Sequence, residues 1–210
     1  MKIEQISFLL KKKYQLNKSQ KNKLLKFIFL LMKWNKKFNI ISMKKPNDII
    51  TKHILDSLNL AYFLKNGNIL DIGSGGGLPS IPIAIIKTNL NFYLLEPKIK
   101  KICFIRYIIS TLKIKNIYIY HMRIENFICN KKFNFIISRA FMDLKKFVCL
   151  FEKSSLKEYT IINMYSYLSM DILKKIFIDQ NYKVEIVNLT KTKSIVGHRN
   201  LVFIKIKKFN

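Results

Sequence analysis

Acidic residues, glycine, proline, cysteine and arginine are all scarce in this chain, and each scarcity narrows the reading. Twelve Asp and Glu stand against 39 Lys and Arg, a formal charge of +27. Such a balance attracts polyanions and gathers nucleic acid through counterion release. It also fits a lysine-rich compositional bias running through the whole chain, and the total charge alone does not separate the two. The longest largely apolar run, residues 24–32, contains Lys26, has lysines on both sides and falls well short of the about 20 apolar residues that span a bilayer. A membrane helix is thereby excluded. The opening Met1-Lys2-Ile3-Glu4 lacks the apolar stretch of a secretory signal, so a cytoplasmic location is expected. Cys103, Cys129 and Cys149 are an odd number at spacings that match neither a CxxC pair nor a metal site. They read as reduced core residues, and no metal is expected.

What is rare is also clustered. Four of the six glycines fall within residues 73–77, and only Arg106, Arg123, Arg139 and Arg199 carry a guanidinium against a background of lysine. A guanidinium offers a planar, bidentate fork that an ammonium lacks, which marks these four positions for inspection.

With 210 residues, half of them hydrophobic, the chain can bury one sizeable core. Leu24, Leu25, Phe27, Ile28, Leu31, Met32 and Trp34 recur at helical spacing after Asn17, which suits an N-cap, so the pattern predicts an amphipathic helix over 18–37. A shorter helix is expected near 3–13. Pro46 fits a first helical turn, and Ile49, Ile50, Ile54, Leu58 and Ala61 continue its stripe to about Leu64. Residues 1–64 are therefore read as a helical extension and 65–210 as the main domain of one compact unit, expected to act as a monomer. From residue 68 the texture changes. Short β-rich runs at 68–72, 91–96, 116–120, 133–138 and 159–164 alternate with helical patterns at 79–88, 98–113, 123–129, 143–153 and 169–179. This alternation predicts an α/β fold with a doubly wound, mostly parallel sheet. The last two runs, 183–189 and 200–207, have no helix between them and are expected to pair as an antiparallel hairpin at the sheet edge, the sixth and seventh strands.

The first of these strands carries Asp71 and runs into glycines at 73, 75, 76 and 77, followed by Leu78-Pro79 and a helix. Such a turn presents bare backbone N–H groups and a helix N-terminus at the carboxyl edge of the sheet, where doubly wound folds bind ligands. Side chains at 73 or 75 would hold a ligand off the backbone, and a positive φ is expected at some of these positions. No Lys-Ser or Lys-Thr closes the loop, which excludes a Walker phosphate loop, and Leu78 stands where the dinucleotide fingerprint has glycine. The spacing D-x-G-x-G-x-G instead resembles the first motif of class I methyltransferases, which bind S-adenosylmethionine. Glu96 ends the next strand, where a carboxylate can accept hydrogen bonds from both ribose hydroxyls of an adenosyl group.

Longer stretches resemble one family closely, the RsmG (GidB) methyltransferases. The likeness runs through Lys33-Trp34-Asn35-Lys36, Asn39-Ile40-Ile41-Ser42, His53-Ile54-Leu55-Asp56-Ser57-Leu58, the loop from Asp71 through Ile81-Pro82, Leu95-Glu96, the stretch from Arg123 to Phe127, Ser138-Arg139-Ala140-Phe141 and Gly197-His198-Arg199-Asn200-Leu201-Val202. This resemblance implies a class I, Rossmann-like fold and methyl transfer from S-adenosylmethionine to N7 of guanine 527 in the 530 loop of 16S rRNA, presented in the small ribosomal subunit or its precursor. It implies that Gly73 and Leu78 line the cofactor pocket, that Ile124 and Glu125 meet the adenine end, and that Arg139 lies beside the methyl donor; Gly75 is assigned to the same pocket from the loop itself. Arg123 and Arg199 also fall on arginines of the family pattern. The chain departs from that pattern at Asn163-Met164, where Lys-Gly is frequent, and at Pro97, where a small polar residue is usual.

Guanine N7 carries a free lone pair, so no base must first remove a proton, and the chemistry asks chiefly for alignment of N7 and the methyl carbon. Arg139 is assigned that positioning, as a donor to guanine O6 or to the cofactor, with an ion pair to Asp143 as the structural alternative. His53 with Asp56 either frames the pocket or pairs on a helix surface. RNA is expected at the carboxyl edge, against Arg123, Arg199, His53, Lys100 and Lys101 and beside Arg106 and Lys113, with the target base turned out of its stack. Three alternatives stay open. They are methylation of another RNA site, a nicotinamide-dependent oxidoreductase, and a cofactor-free RNA-binding module.

Overall fold

The computed structural model describes residues 14–128, 131–138, 158–165, 182–189 and 200–208. Helix α1, Lys18–Phe38, begins with a capping box in which Asn17 accepts from the Gln20 backbone N–H and the Gln20 side chain accepts from that of Asn17. It ends where Asn39 turns left-handed, at φ 48°, a conformation asparagine tolerates better than most side chains. Its inward face carries Leu24, Phe27, Ile28 and Leu31 into the core. The Gln20 side-chain amide also donates to the Ile86 carbonyl at 3.1 Å, fastening the start of α1 to the main fold.

The expected helix from Pro46 is present but is not one regular helix. Pro46–Ile49 forms α2, a wider π-helical turn spans Ile50–Leu55, and Asp56–Leu60 forms α3. The wide turn changes which side chains share a face. Both His53 and Asp56 are buried, which removes the reading of them as a surface pair. Helix α4 is Ser80–Ile86 and α5 is Ile99–Leu112. Trp34 packs against Phe104 and Tyr107 with ring centroids 5.5 and 5.4 Å apart, so the end of α1 lies against α5. The helical pattern at 123–129 is realised only as a single 3-10 turn, Ile124–Asn126, because Phe127 is already extended. The helices expected near 3–13, 143–153 and 169–179 lie outside the described residues.

Among the described residues seven strands form one sheet: β1 Gly67–Ile72, β2 Leu90–Leu95, β3 Ile117–Tyr120, β4 Phe135–Ser138, β5 Glu158–Tyr165, β6 Tyr182–Leu189 and β7 Asn200–Lys208. Their spatial order is β3-β2-β1-β4-β5-β7-β6. The first five are parallel, whereas β7 runs antiparallel between β5 and β6. The doubly wound sheet and the antiparallel C-terminal pair match expectation. Strand β2 is apolar except at Asn91, as buried parallel strands are, and β1 is apolar at Ile69, Leu70 and Ile72 around the buried Asp71. Leu24, Phe27 and Leu31 of α1 share one buried cluster with Ile69, Phe92 and Phe104, so the N-terminal helix packs into the same core as the sheet. Cys103 does not follow the expectation for cysteine: it is a free thiol on the exposed side of α5, because the inward positions of that helix are taken by Ile102, Phe104, Ile105 and Ile108. Cys129 and Cys149 lie outside the described residues.

Register brings the functional edge together. Ile72 pairs with Leu95 on one side and with Ser138 on the other, so the residues following β1, β2 and β4 all emerge along one line. The order reverses at β1, between β2 and β4, where open α/β sheets form their ligand crevice.

Candidate functional site

The glycine loop is built from hydrogen bonds that start in the strands. Gly73 and Ser74 N–H groups both donate to the Leu95 carbonyl, at 2.9 and 3.1 Å, and those of Gly77 and Leu78 both donate to the Ser74 carbonyl, at 2.8 and 3.1 Å. The buried Asp71 carboxylate accepts from the Ser80 hydroxyl at 2.5 Å and ties the strand to the helix beyond the loop. Gly73, Gly75 and Gly77 have φ of 69°, 58° and 73°, the left-handed region that L side chains rarely occupy.

Glu96 is 3% exposed, and both of its carboxylate oxygens are engaged by main chain. One accepts from Gly75 N–H at 2.8 Å and the other from Lys98 N–H at 2.9 Å. The acid at the end of β2 therefore fixes the glycine loop as well as the turn into α5. A carboxylate has about four acceptor positions, so each oxygen retains capacity for a further donor. Pro97 leaves this arrangement intact, its carbonyl lying 3.0 Å from a ring nitrogen of His121.

Above the loop lies a cavity of about 620 Å³, within the about 300–1,000 Å³ usual for small-molecule sites. Gly73, Ser74, Gly75 and Gly76 form one wall, and His53, Leu78, Lys98 and Lys101 contribute others. The remaining wall is a strap, residues 39–44, that follows α1. Asn35, 5% exposed, holds this strap: its side-chain oxygen accepts from Ile41 N–H at 2.8 Å and its side-chain nitrogen donates to the Met43 carbonyl at 2.7 Å. A Cβ on Gly76 would stand 3.0 Å from Ile41 and 3.1 Å from Ile40, so glycine there lets the strap close on the loop.

Of the residues singled out in the sequence, the structure thus gathers Gly73, Gly75, Leu78, His53 and Lys101 around one cavity, with Glu96 behind Gly75. Ile124 is buried and Glu125 exposed in the short turn after β3, on the same sheet edge but outside the walls of this cavity. Arg123, Lys100 and Arg106 are exposed. Arg139 and Arg199 lie outside the described residues, although Ser138, immediately before Arg139, pairs with Ile72 immediately before Gly73. Asn35, the strap and Ser74 carried no assigned role in the sequence. Ser74 places a hydroxyl that is 1% exposed in the loop with no hydrogen-bond partner among the described residues.

A family model described as rRNA small subunit methyltransferase G matches residues 20–201. The chain belongs to this family, GidB. A curated relative from Shigella flexneri, named Ribosomal RNA small subunit methyltransferase G, is 33% identical over 207 residues, covering 98% of this chain and 99% of its own length. Among solved structures, magnesium protoporphyrin IX methyltransferase from Synechocystis PCC 6803 with bound SAM superposes with a TM-score of 0.59 at 11% identity, over 87% of this chain and 97% of its own. M. jannaschii TYW2 in complex with AdoMet gives 0.58 at 16% identity, over 75% and 76%. Both are similar in fold to this GidB chain, whose sheet order and C-terminal antiparallel strand are those of class I methyltransferases.

Proposed function

We propose that this protein transfers a methyl group from S-adenosylmethionine to N7 of guanine 527 of 16S rRNA. The reading rests on family membership along nearly the whole chain, joined to a glycine loop that opens onto a cavity with a carboxylate bound to its backbone. The site suits an adenosyl sulfonium on three counts. Glu96 retains acceptor capacity for ribose hydroxyls, Gly73 and Gly75 leave part-exposed backbone in the cavity wall, and the buried Ser74 hydroxyl is available to a ligand.

When bound, S-adenosylmethionine supplies an electrophilic methyl carbon on a positively charged sulfur. The protein's own task is then placement. Gly73 and Gly75 let the ligand approach the main chain, Glu96 orients the sugar, and Leu78 gives an apolar contact. The short turn carrying Ile124 and Glu125 is assigned to the adenine end. Because guanine N7 already presents its lone pair, no residue has to take a proton before attack. Alignment at about 3–3.5 Å accounts for the larger part of the rate gain. Arg139, following Ser138 at the end of β4, is assigned the positioning of guanine through O6, leaving N7 unblocked. Arg123, Arg199, His53, Lys100 and Lys101 are assigned to RNA.

The test is transfer itself. Labelled S-adenosylmethionine is incubated with small ribosomal subunits lacking the modification, and the labelled nucleotide is mapped. Label on N7 of guanine 527 is expected. Label on another nucleotide would overturn the target, and absence of label would overturn the activity.

A further inference from the structure

A second cleft, of about 630 Å³, lies on the other side of the strap. Its floor is apolar, made by Phe29 and Met32 of α1 with Pro46 and Ile49, and its rim carries Lys33, Lys36, Lys37 and Lys44. No acid stands among its walls, and none of the four lysines pairs with an acid among the described residues. Phe29 is 60% exposed although its neighbours Ile28 and Leu30 are buried. Met32, Lys33 and Lys36 stand three, four and seven residues after Phe29, the spacing that shares a helix face, so the ring and the ammonium groups form one surface.

This cleft adjoins the glycine-loop cavity. Asn39 and Lys44 line both, and Asn35, which pins the strap between them, is also a wall of the second. We propose that the second cleft binds an unpaired nucleotide of the RNA substrate next to the one being methylated, its base on Phe29 and Met32 and its phosphates against the lysine rim. The inference rests on the RNA methyltransferase reading. Its chemistry is that of single-strand recognition generally, where a base stacks on an aromatic face while cations follow the backbone. A strand that delivers a base to the glycine-loop cavity across the strap meets this cleft next.

Two variants test the proposal. The first is Lys33→Gln/Lys36→Gln/Lys37→Gln, which spares Lys44 because that residue also lines the other cavity. The second is Phe29→Ala, an exposed position whose loss leaves the core untouched. Since any lost charge weakens RNA binding to a +27 protein, the control is Lys18→Gln/Lys65→Gln/Lys115→Gln, three exposed lysines that line neither cavity. Steady-state transfer to unmodified small subunits should show KM for the subunit raised about tenfold over the control in the triple variant and about fivefold in Phe29→Ala, the latter from stacking lost on one base. Affinity for S-adenosylmethionine, measured by calorimetry, should stay within about twofold of wild type. Equal effects of the cleft triple and the control, or an unchanged KM in Phe29→Ala, would overturn the proposal, as would sedimentation showing that the cleft variants break up a dimer. If the wild type transfers no methyl group, the methyltransferase reading fails on its own. The same comparison is then read by filter binding of the subunits.

Discussion

Two glycines of one loop separate binding from folding. At Gly77, a Cβ would stand 2.2 Å from the Ile81 side chain, whereas at Gly75 the nearest atom, the end of the Lys101 side chain, is 3.6 Å away. Both positions have positive φ, for which an L residue costs about 1–2 kcal/mol. Gly77→Ala is therefore expected to lower stability by more than this backbone strain alone, because a packed isoleucine must also move. Gly75→Ala should cost about that strain and no more, yet weaken S-adenosylmethionine binding about tenfold or more, since its Cβ would enter the cavity proposed to hold the ligand. Thermal melts and calorimetry of the pair check both statements, and equal loss of stability would sink the distinction. Glu96 allows a sharper exchange. In Glu96→Gln the new NH2 group must face either Gly75 N–H or Lys98 N–H, so a donor meets a donor and a buried bond worth about 1–3 kcal/mol is lost. The expected outcome is cofactor affinity about tenfold to a hundredfold lower with the sheet unchanged. For Arg139, charge alone should not suffice: Arg139→Lys is expected to lose most methyl transfer, as a fork-shaped donor is replaced by a point charge. Wild-type turnover in that variant would remove its assigned role.

At the level of elements, the strap of residues 39–44 is held by a side chain of the preceding helix. Among the described residues Asn35 bonds both Ile41 and Met43. Asn35→Ala leaves two main-chain groups of a half-buried strap without those partners, at about 1–3 kcal/mol, and should raise the KM for S-adenosylmethionine. Asn35→Asp retains the acceptor for Ile41 N–H but sets an oxygen against the Met43 carbonyl, so it should not rescue binding. Rescue by Asp would show that the Met43 bond is dispensable. The strands, the N-cap at Asn17, the glycine loop and Glu96 are legible in the sequence because periodicity, capping chemistry and loop composition are local signals. Asn35-Lys36 and Asn39-Ile40-Ile41-Ser42 resemble the family pattern, but nothing local says that one asparagine holds the other stretch against a glycine 41 positions away. The wide turn at Ile50–Leu55 was equally invisible, since the apolar stripe there suits an ordinary helix. It buries His53 and brings it to the cavity. The outward-facing Cys103 and the exposed Phe29 show the reverse case, in which a residue type that favours burial stands where the helix turns away from the core.

Across the whole molecule, charge and recognition work at different ranges. A +27 chain attracts any RNA, and that attraction is screened beyond about 10 Å at 0.1 M salt. By itself it chooses nothing. Choice must come from short-range features: the glycine-loop cavity, Glu96 and Gly75 at its wall, and the proposed nucleotide cleft at Phe29 beside it. The two ranges respond differently to salt. Affinity for unrelated single-stranded RNA should fall steeply as salt rises, with a log–log slope of about −0.7 for each phosphate neutralised. Affinity for the unmodified small subunit should fall less in proportion, because stacking and hydrogen bonds do not release counterions. The ratio of the two is therefore expected to widen between about 50 and 200 mM salt, the interval over which charge-driven binding loses several decades. Competition binding at three salt concentrations measures it. Parallel loss of both affinities would mean that recognition by this chain is electrostatic throughout, and that its clefts add nothing to the selection of its substrate.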